Sequence, residues 1–204
     1  VMAMMKIGEY FYSNHQHQDS GTFQIYYKGL LAGKGGKYDL YGTDEHNMYT
    51  SKTISHNGLL IYDPLEDDGT NKRQNVNDGG QRFDNIVTEP LKFGEVLAHE
   101  IDPRNTVEPQ YTYIKGDITD AYSDKVSKVQ RSMMFINLGI EDMPAAFITF
   151  DQITSADKTF KKPWVLHGTQ QPEVSGTRAV FTAKPSNEGG GVGARIGVSI
   201  TNKP

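Results

Sequence analysis

The sequence predicts an all-β fold, a two-sheet antiparallel β-sandwich. Short runs of β-branched and aromatic residues recur along the 204 residues, and no stretch long enough for a helix keeps apolar residues three and four positions apart. The 21 Gly and 11 Tyr also favour strands and turns. Regular strands between turns are typical of two packed sheets.

The predicted strands follow one another along the whole chain. Each is an apolar, β-branched or aromatic run, and Gly, Asp-Pro, Asp-Gly or Ser-Gly turn formers such as those at 33–36, 63–64, 78–80, 102–103 and 175–176 lie between them. In chain order these strands span residues 3–11, 21–27, 30–32, 48–51, 59–62, 93–100, 111–117, 125–136, 146–153, 161–170, 178–182 and 194–201.

The pattern indicates a single domain over residues 1–204 with two long polar interruptions. Residues 67–81 are rich in Asn, Gly and Asp, and residues 185–193 contain three consecutive glycines. Both are predicted to be surface loops because they offer little apolar area to bury. The chain begins with Val, so we expect a fragment or a processed chain.

Composition excludes several classes of function. The 21 Lys and Arg against 25 Asp and Glu give a net charge of −4, which provides no field for gathering nucleic acid. Without Cys, the chain can form neither a disulfide, a zinc–thiolate site nor a thiol nucleophile. The longest apolar runs are too short to cross a bilayer, so no membrane span is expected.

Four of the six histidines lie within the first 56 residues: His15, His17, His46 and His56. If residues 10–17 continue the first strand, His15 and His17 share one face, roughly 6.5–7 Å apart. That spacing suits two cooperating imidazoles, although a polar strand face or a hydrogen-bonded loop would use the same pattern.

The histidines could also contribute to a metal site. Without thiols, zinc would need imidazole nitrogens and a carboxylate from separate strands. His17, His56 and an acidic residue could supply them, and spacing does not choose among the candidates Asp19, Asp39, Asp44 and Glu45.

Aromatic and basic residues are dense in the same region. Tyrosine rings with polar tips suit contact with sugar rings as well as half-buried sheet packing. Four lysines could form a positive rim for an acidic ligand: Lys28, Lys34, Lys37 and Lys52. The sequence has neither a phosphate-binding loop nor the Gly-x-Ser-x-Gly turn of a serine hydrolase.

Two segments carry a resemblance to a known family. Residues 15–29 read HQHQDSGTFQIYYKG and residues 53–64 read TISHNGLLIYDP. They resemble the central β-sandwich domain of the heparinase II/III-like family of polysaccharide lyases, most closely its heparinase II type. Further similar stretches are residues 116–123, Arg131, residues 147–151 and residues 160–167.

The resemblance implies a lyase that cleaves uronate-containing glycans, such as heparin or heparan sulfate, by β-elimination. It implies His15 as a catalytic residue and Asn14 as a contact to substrate. It also implies an upstream α-helical toroid that supplies a Tyr and a His, so this fragment alone should be inactive. A periplasmic or secreted protein, an acidic polysaccharide substrate and a possible homodimer are further expectations.

The resemblance also implies a structural zinc ion held by His17 and His56. The family's Asp ligand, however, aligns with Lys34, which is no substitute for a carboxylate. Asp39, Asp44 or His46 could take its place, or hydrogen bonds among the histidines could hold an empty site. Two other functions stay open: a lyase for alginate or another polyuronate, and a non-catalytic glycan-binding or structural module.

Overall fold

The computed structural model describes residues 1–12, 15–37, 40–66, 77–82, 90–183 and 195–199, and the fold is all-β as predicted. Short helical turns form at His46–Thr50, Thr53–Ser55 and Thr119–Lys125. The described strands are β1 Met2–Lys6, β2 Tyr10–Phe11, β3 Thr22–Tyr26, β4 Leu30–Ala32, β5 Leu91–Lys92, β6 Glu95–Ile101, β7 Tyr111–Asp117, β8 Val126–Ile140, β9 Met143–Ser155, β10 Glu173–Ser175, β11 Arg178–Thr182 and β12 Arg195–Ser199.

Within the described ranges these strands form four antiparallel sheets. Their orders are β6-β7-β8-β9, β1-β3-β4, β10-β11-β12 and β2-β5. The first is the largest, and its long hairpin β8–β9 sets Arg131 opposite Asp151 and Met133 opposite Thr149. The shortest pair, β2-β5, joins the start of the chain to the residues before β6.

The core lies between the β1-β3-β4 sheet and the four-stranded sheet. Alternate residues of β8, namely Val129, Arg131 and Met133, are fully buried, as the two-residue period of a strand requires. Phe23 of β3 contacts Phe147 of β9 with ring centroids 4.9 Å apart. The two sheets therefore face each other, which is the geometry of a sandwich.

Three predicted strands are divided or reduced to isolated bridges in the structure. Residues 3–11 divide at Gly8, whose φ of +73° turns the chain between β1 and β2. Residues 59–62 and 161–170 form only the isolated bridges Leu59–Trp164 and Tyr62–Lys161.

The predicted strand 48–51 is wrong, because the chain there forms the helical turn His46–Thr50. The backbone N–H and the hydroxyl of Ser51 both donate to the carbonyl of His46, at 3.0 and 2.9 Å. A serine hydroxyl that caps a turn in this way competes with strand pairing.

The two polar segments fall only in part within the described residues. Of 67–81, residues 67–76 lie outside the described residues, as does all of 185–193. Gly79 and Gln81 are buried, so the prediction of a surface loop does not hold for the end of the first segment. Its backbone is needed inside the fold, where Gly79 accepts a hydrogen bond from Ile61. No helix in the described part of the chain is long and apolar enough to cross a membrane.

Candidate active site

His15 lies on an exposed turn and not on a strand, so the predicted continuation of the first strand through residues 10–17 is wrong. Strand β2 ends at Phe11. Beyond it, the side chain of Gln16 accepts from the Tyr12 N–H at 2.6 Å and donates to the Tyr10 carbonyl at 2.7 Å. These bonds replace strand pairing and turn the chain back on itself.

The His15 backbone adopts a φ of +57°, which is unusual for a residue with a side chain. Its imidazole packs against the ring of Tyr41 with centroids 4.2 Å apart. Tyr41 is 45% exposed, and its ring lies 4.9 Å from that of the buried His46. The surface thus presents an imidazole and a phenol side by side.

His17, whose ring centroid lies 6.2 Å from that of His46, forms a hydrogen-bonded pair with His56. His17 Nδ1 lies 3.1 Å from His56 Nε2, and His56 Nδ1 lies 2.8 Å from the carbonyl of Lys52. Because a carbonyl can only accept, the proton of His56 is assigned to Nδ1. His56 Nε2, which then carries no proton, accepts a hydrogen bond from the Nδ1–H group of His17.

Both members of the pair are held neutral. Burial lowers the pKa of His17 to about 4, with the neighbouring His56 adding to the effect and Asp19 opposing it. Burial likewise lowers the pKa of His56. A neutral imidazole pair in which His56 is buried and His17 half-buried is suited to fixing geometry, whereas the exposed His15 is accessible for proton transfer.

Lys34 lies within the electrostatic range of this pair. Its ammonium donates to the Gly35 carbonyl at 3.3 Å and disfavours protonation of both His17 and His56. Burial lowers the pKa of Lys34, and Glu45 opposes that shift. The cluster therefore combines two neutral imidazoles with a cation.

The family model described as "Heparinase II/III-like, C-terminal" matches residues 1–201, almost the whole chain. The chain belongs to this family. The resemblance inferred from residues 15–29 and 53–64 is therefore confirmed, and with it the general class, since the family is one of polysaccharide lyases. No curated protein matches the chain.

The structure brings together His17 and His56, whereas His15 is linked to them only through the rings of Tyr41 and His46. Lys34, which the resemblance aligns with the family's Asp ligand, acts on both histidines electrostatically by disfavouring their protonation. Asn14 lies outside the described residues. Tyr41 is the contact that the sequence did not single out, because nothing in the spacing of seven nearby tyrosines distinguishes it.

The described residues do not fit a zinc ion. Among them, no group of three or more His, Asp or Glu side chains is arranged to hold a metal. His17 and His56 would supply two nitrogen ligands, whereas structural zinc takes four. Of the alternatives for a third ligand, Asp44 is exposed and Asp39 lies outside the described residues. The buried His46 has its ring centroid 6.2 Å from that of His17 and does not complete a group of three ligands. No chemical step is therefore assigned to zinc.

The buried side-chain amide of Asn57 stabilises the segment that carries His56. The side chain of Asn57 donates to the Phe23 carbonyl at 2.9 Å and accepts from the His167 N–H at 2.7 Å. His167 in turn bonds through Nε2 to the carbonyl of Ile54 at 2.8 Å. Three distant segments thus meet next to His56, which explains why an Asn follows the histidine.

Proposed function

We propose that this chain is the β-sandwich part of a lyase that cleaves uronate-containing glycosaminoglycans, such as heparin or heparan sulfate, by β-elimination. The observation that carries the proposal is the exposed His15, whose ring packs against Tyr41. Tyr41 contacts the buried His46, and His46 in turn contacts His17 of the neutral His17–His56 pair. Family membership adds the general lyase class.

The chemistry explains why an imidazole is wanted here. β-Elimination removes the proton on C5 of the uronate, forms the C4–C5 double bond and releases the oxygen on C4, which must gain a proton. Histidine titrates near neutral pH, so it can exchange a proton in either direction. We assign His15 as a catalytic residue for one of these transfers.

The neighbours of His15 suit an acidic sugar polymer. Tyr41 offers an aromatic face with a polar tip, and Lys34 provides positive charge close to the pair. The C5 proton is poorly acidic until the adjacent carboxylate is neutralised, and we assign Asn14 to that contact. The remaining acid–base groups would come from an upstream helical toroid.

The proposed substrate implies a location outside the cytosol. Large polyanionic glycans are met outside the cytosol, so the protein would be periplasmic or secreted. The isolated sandwich would be inactive because it supplies one wall of the cleft, and a homodimer is compatible with this arrangement.

The test is the ultraviolet absorbance gained when the protein, extended upstream through the proposed toroid, is incubated with heparan sulfate, chondroitin sulfate, hyaluronan or alginate. Elimination creates a conjugated double bond that absorbs. Replacing His15 by Ala should lower kcat by about 10²–10⁴-fold, and His99→Ala on β6 is the matched control.

The outcomes separate the competing functions. A response to alginate alone would move the substrate to a plain polyuronate while keeping the lyase chemistry. A folded, extended protein that cleaves none of the four polymers would refute the enzyme proposal and favour a glycan-binding module. Normal turnover in His15→Ala would remove that residue from the mechanism.

A further inference from the structure

Gln81 lies in the middle of the fold although it follows a polar, glycine-rich stretch. Only 4% of the residue is exposed. The chain on either side is fixed as well, since Gly79 accepts from the Ile61 N–H at 2.7 Å and the Arg82 N–H donates to the Ala121 carbonyl at 2.7 Å. The position of Gln81 is therefore set by the core.

The side-chain amide of Gln81 pairs with both backbone polar groups of Ser20. Gln81 Oε1 accepts from the Ser20 N–H at 3.0 Å, and Gln81 Nε2 donates to the Ser20 carbonyl at 2.7 Å. Ser20 is buried, so without this amide both groups would lie away from water. The amide thus supplies the two hydrogen bonds that a paired strand would otherwise give to the segment that carries His17.

The backbone of Gln81 joins that segment to the one that carries His56. Its N–H donates to Thr53 Oγ1 at 2.9 Å, while its carbonyl accepts from the side chain of Gln18. The Thr53 hydroxyl, in turn, donates to the Gln18 carbonyl at 2.8 Å. Gln18 follows His17 directly, and Thr53 opens the helical turn Thr53–Ser55 that leads into His56.

We propose that Gln81 is a positioning residue that sets the distance between His17 and His56 and, through the same segment, the placement of His15. It touches neither histidine and acts through Ser20, Gln18 and Thr53. The catalytic meaning of this role rests on the proposed function, whereas the geometric role does not.

The test compares three variants of the 204-residue chain. Gln81→Met keeps the length of the side chain and removes both bonds to Ser20 as well as the 3.4 Å bond from Nε2 to the Tyr122 hydroxyl. Gln81→Glu retains an acceptor for the Ser20 N–H, and its second oxygen can donate to the Ser20 carbonyl only when the buried carboxyl takes up a proton. The matched control is Gln130→Met, which breaks a 3.0 Å hydrogen bond to Asp117 in the four-stranded sheet.

Two spectroscopic readouts report position and not only stability. The first is the imidazole ¹⁵N signals of His17 and His56, including the coupling across their hydrogen bond. The second is hydrogen exchange of the Ser20 amide, which should become about tenfold faster or more when its buried acceptor is lost. Both are measured well below the melting temperature of each variant.

We expect Gln81→Met to lose the coupling between the two imidazoles, Gln81→Glu to weaken it and Gln130→Met to leave it intact. If Gln81→Met does not fold, Gln81→Glu decides the question. A folded Gln81 variant with an unchanged His17–His56 coupling would overturn the proposal. Neither readout depends on glycan cleavage, so the failure of the lyase proposal would be seen separately.

Discussion

The Arg131–Asp151 pair offers a sharp test of how the sandwich supports its site. Both residues face inward at opposed positions of β8 and β9. The guanidinium donates to the carboxylate through Nε at 2.5 Å and Nη2 at 2.8 Å, and through Nη1 to the Gly21 carbonyl at 2.7 Å. Arg131 thereby ties the largest sheet to the residue that follows the segment 15–20.

Replacing Asp151 by Asn should destabilise the fold strongly. The Arg131 side chain is only 1% exposed, so the charge that remains has no access to water. Breaking a buried ion pair from one side costs about 3–5 kcal/mol. For a chain of this size that loss corresponds to a fall in Tm of roughly 6–20 °C.

Urea unfolding followed by circular dichroism measures the effect, with the exposed Asp142→Asn as a control that should stay within about 0.5 kcal/mol of the parent. The double variant Arg131→Met/Asp151→Leu should be more stable than Asp151→Asn, because it leaves no unpaired charge. The reasoning is wrong if Asp151→Asn unfolds at the parent's urea concentration, or if the double variant is the weaker of the two.

Two further predictions concern the histidine pair. Lys34→Asp should convert the cluster into a zinc site with three protein ligands and one water, so metal analysis after dialysis should find about one zinc ion per chain. The parent protein should hold none, and stoichiometric zinc in the parent would contradict the reading of Lys34. The free energy of unfolding should also decrease as the pH is lowered from about 6.5 to about 4. Burial holds the pKa of His17 at about 4 and lowers that of His56 in the folded chain, so the unfolded chain binds more protons in this range. Thermal melts should give a lower Tm at pH 5 than at pH 7.5, with a smaller difference in His17→Asn, and a higher Tm at pH 5 would refute it.

The fold class could be predicted because it rests on local patterns. Alternation of apolar residues and turn formers places β7, β8 and β9 close to their observed positions. The failures occur where side chains compete with strand pairing. Ser51 caps the turn His46–Thr50, so residues 48–51 do not form a strand. Gln16 bonds to the backbone of Tyr10 and Tyr12, and the strand that ends at Phe11 does not continue to His17.

The candidate active site could also be predicted only in part. The residues of the His-x-His segment and of His56 could be identified from the sequence, because their order and neighbours carry the family resemblance. Their roles could not be worked out from spacing alone, since the strand expected to align His15 and His17 is a turn in the structure. The tautomers of His17 and His56 depend on the Lys52 carbonyl, which no sequence pattern marks.

The sequence by itself determined the chemical groups: a chain without thiols, rich in turns, with an imidazole cluster and a lysine where a carboxylate was expected. Only the tertiary structure decided which groups meet. Tyr41 reaches His15 and Gln81 reaches Ser20 across many residues of intervening chain. Such contacts depend on how the sheets pack and which backbone groups remain to be satisfied, and these are properties of the folded whole.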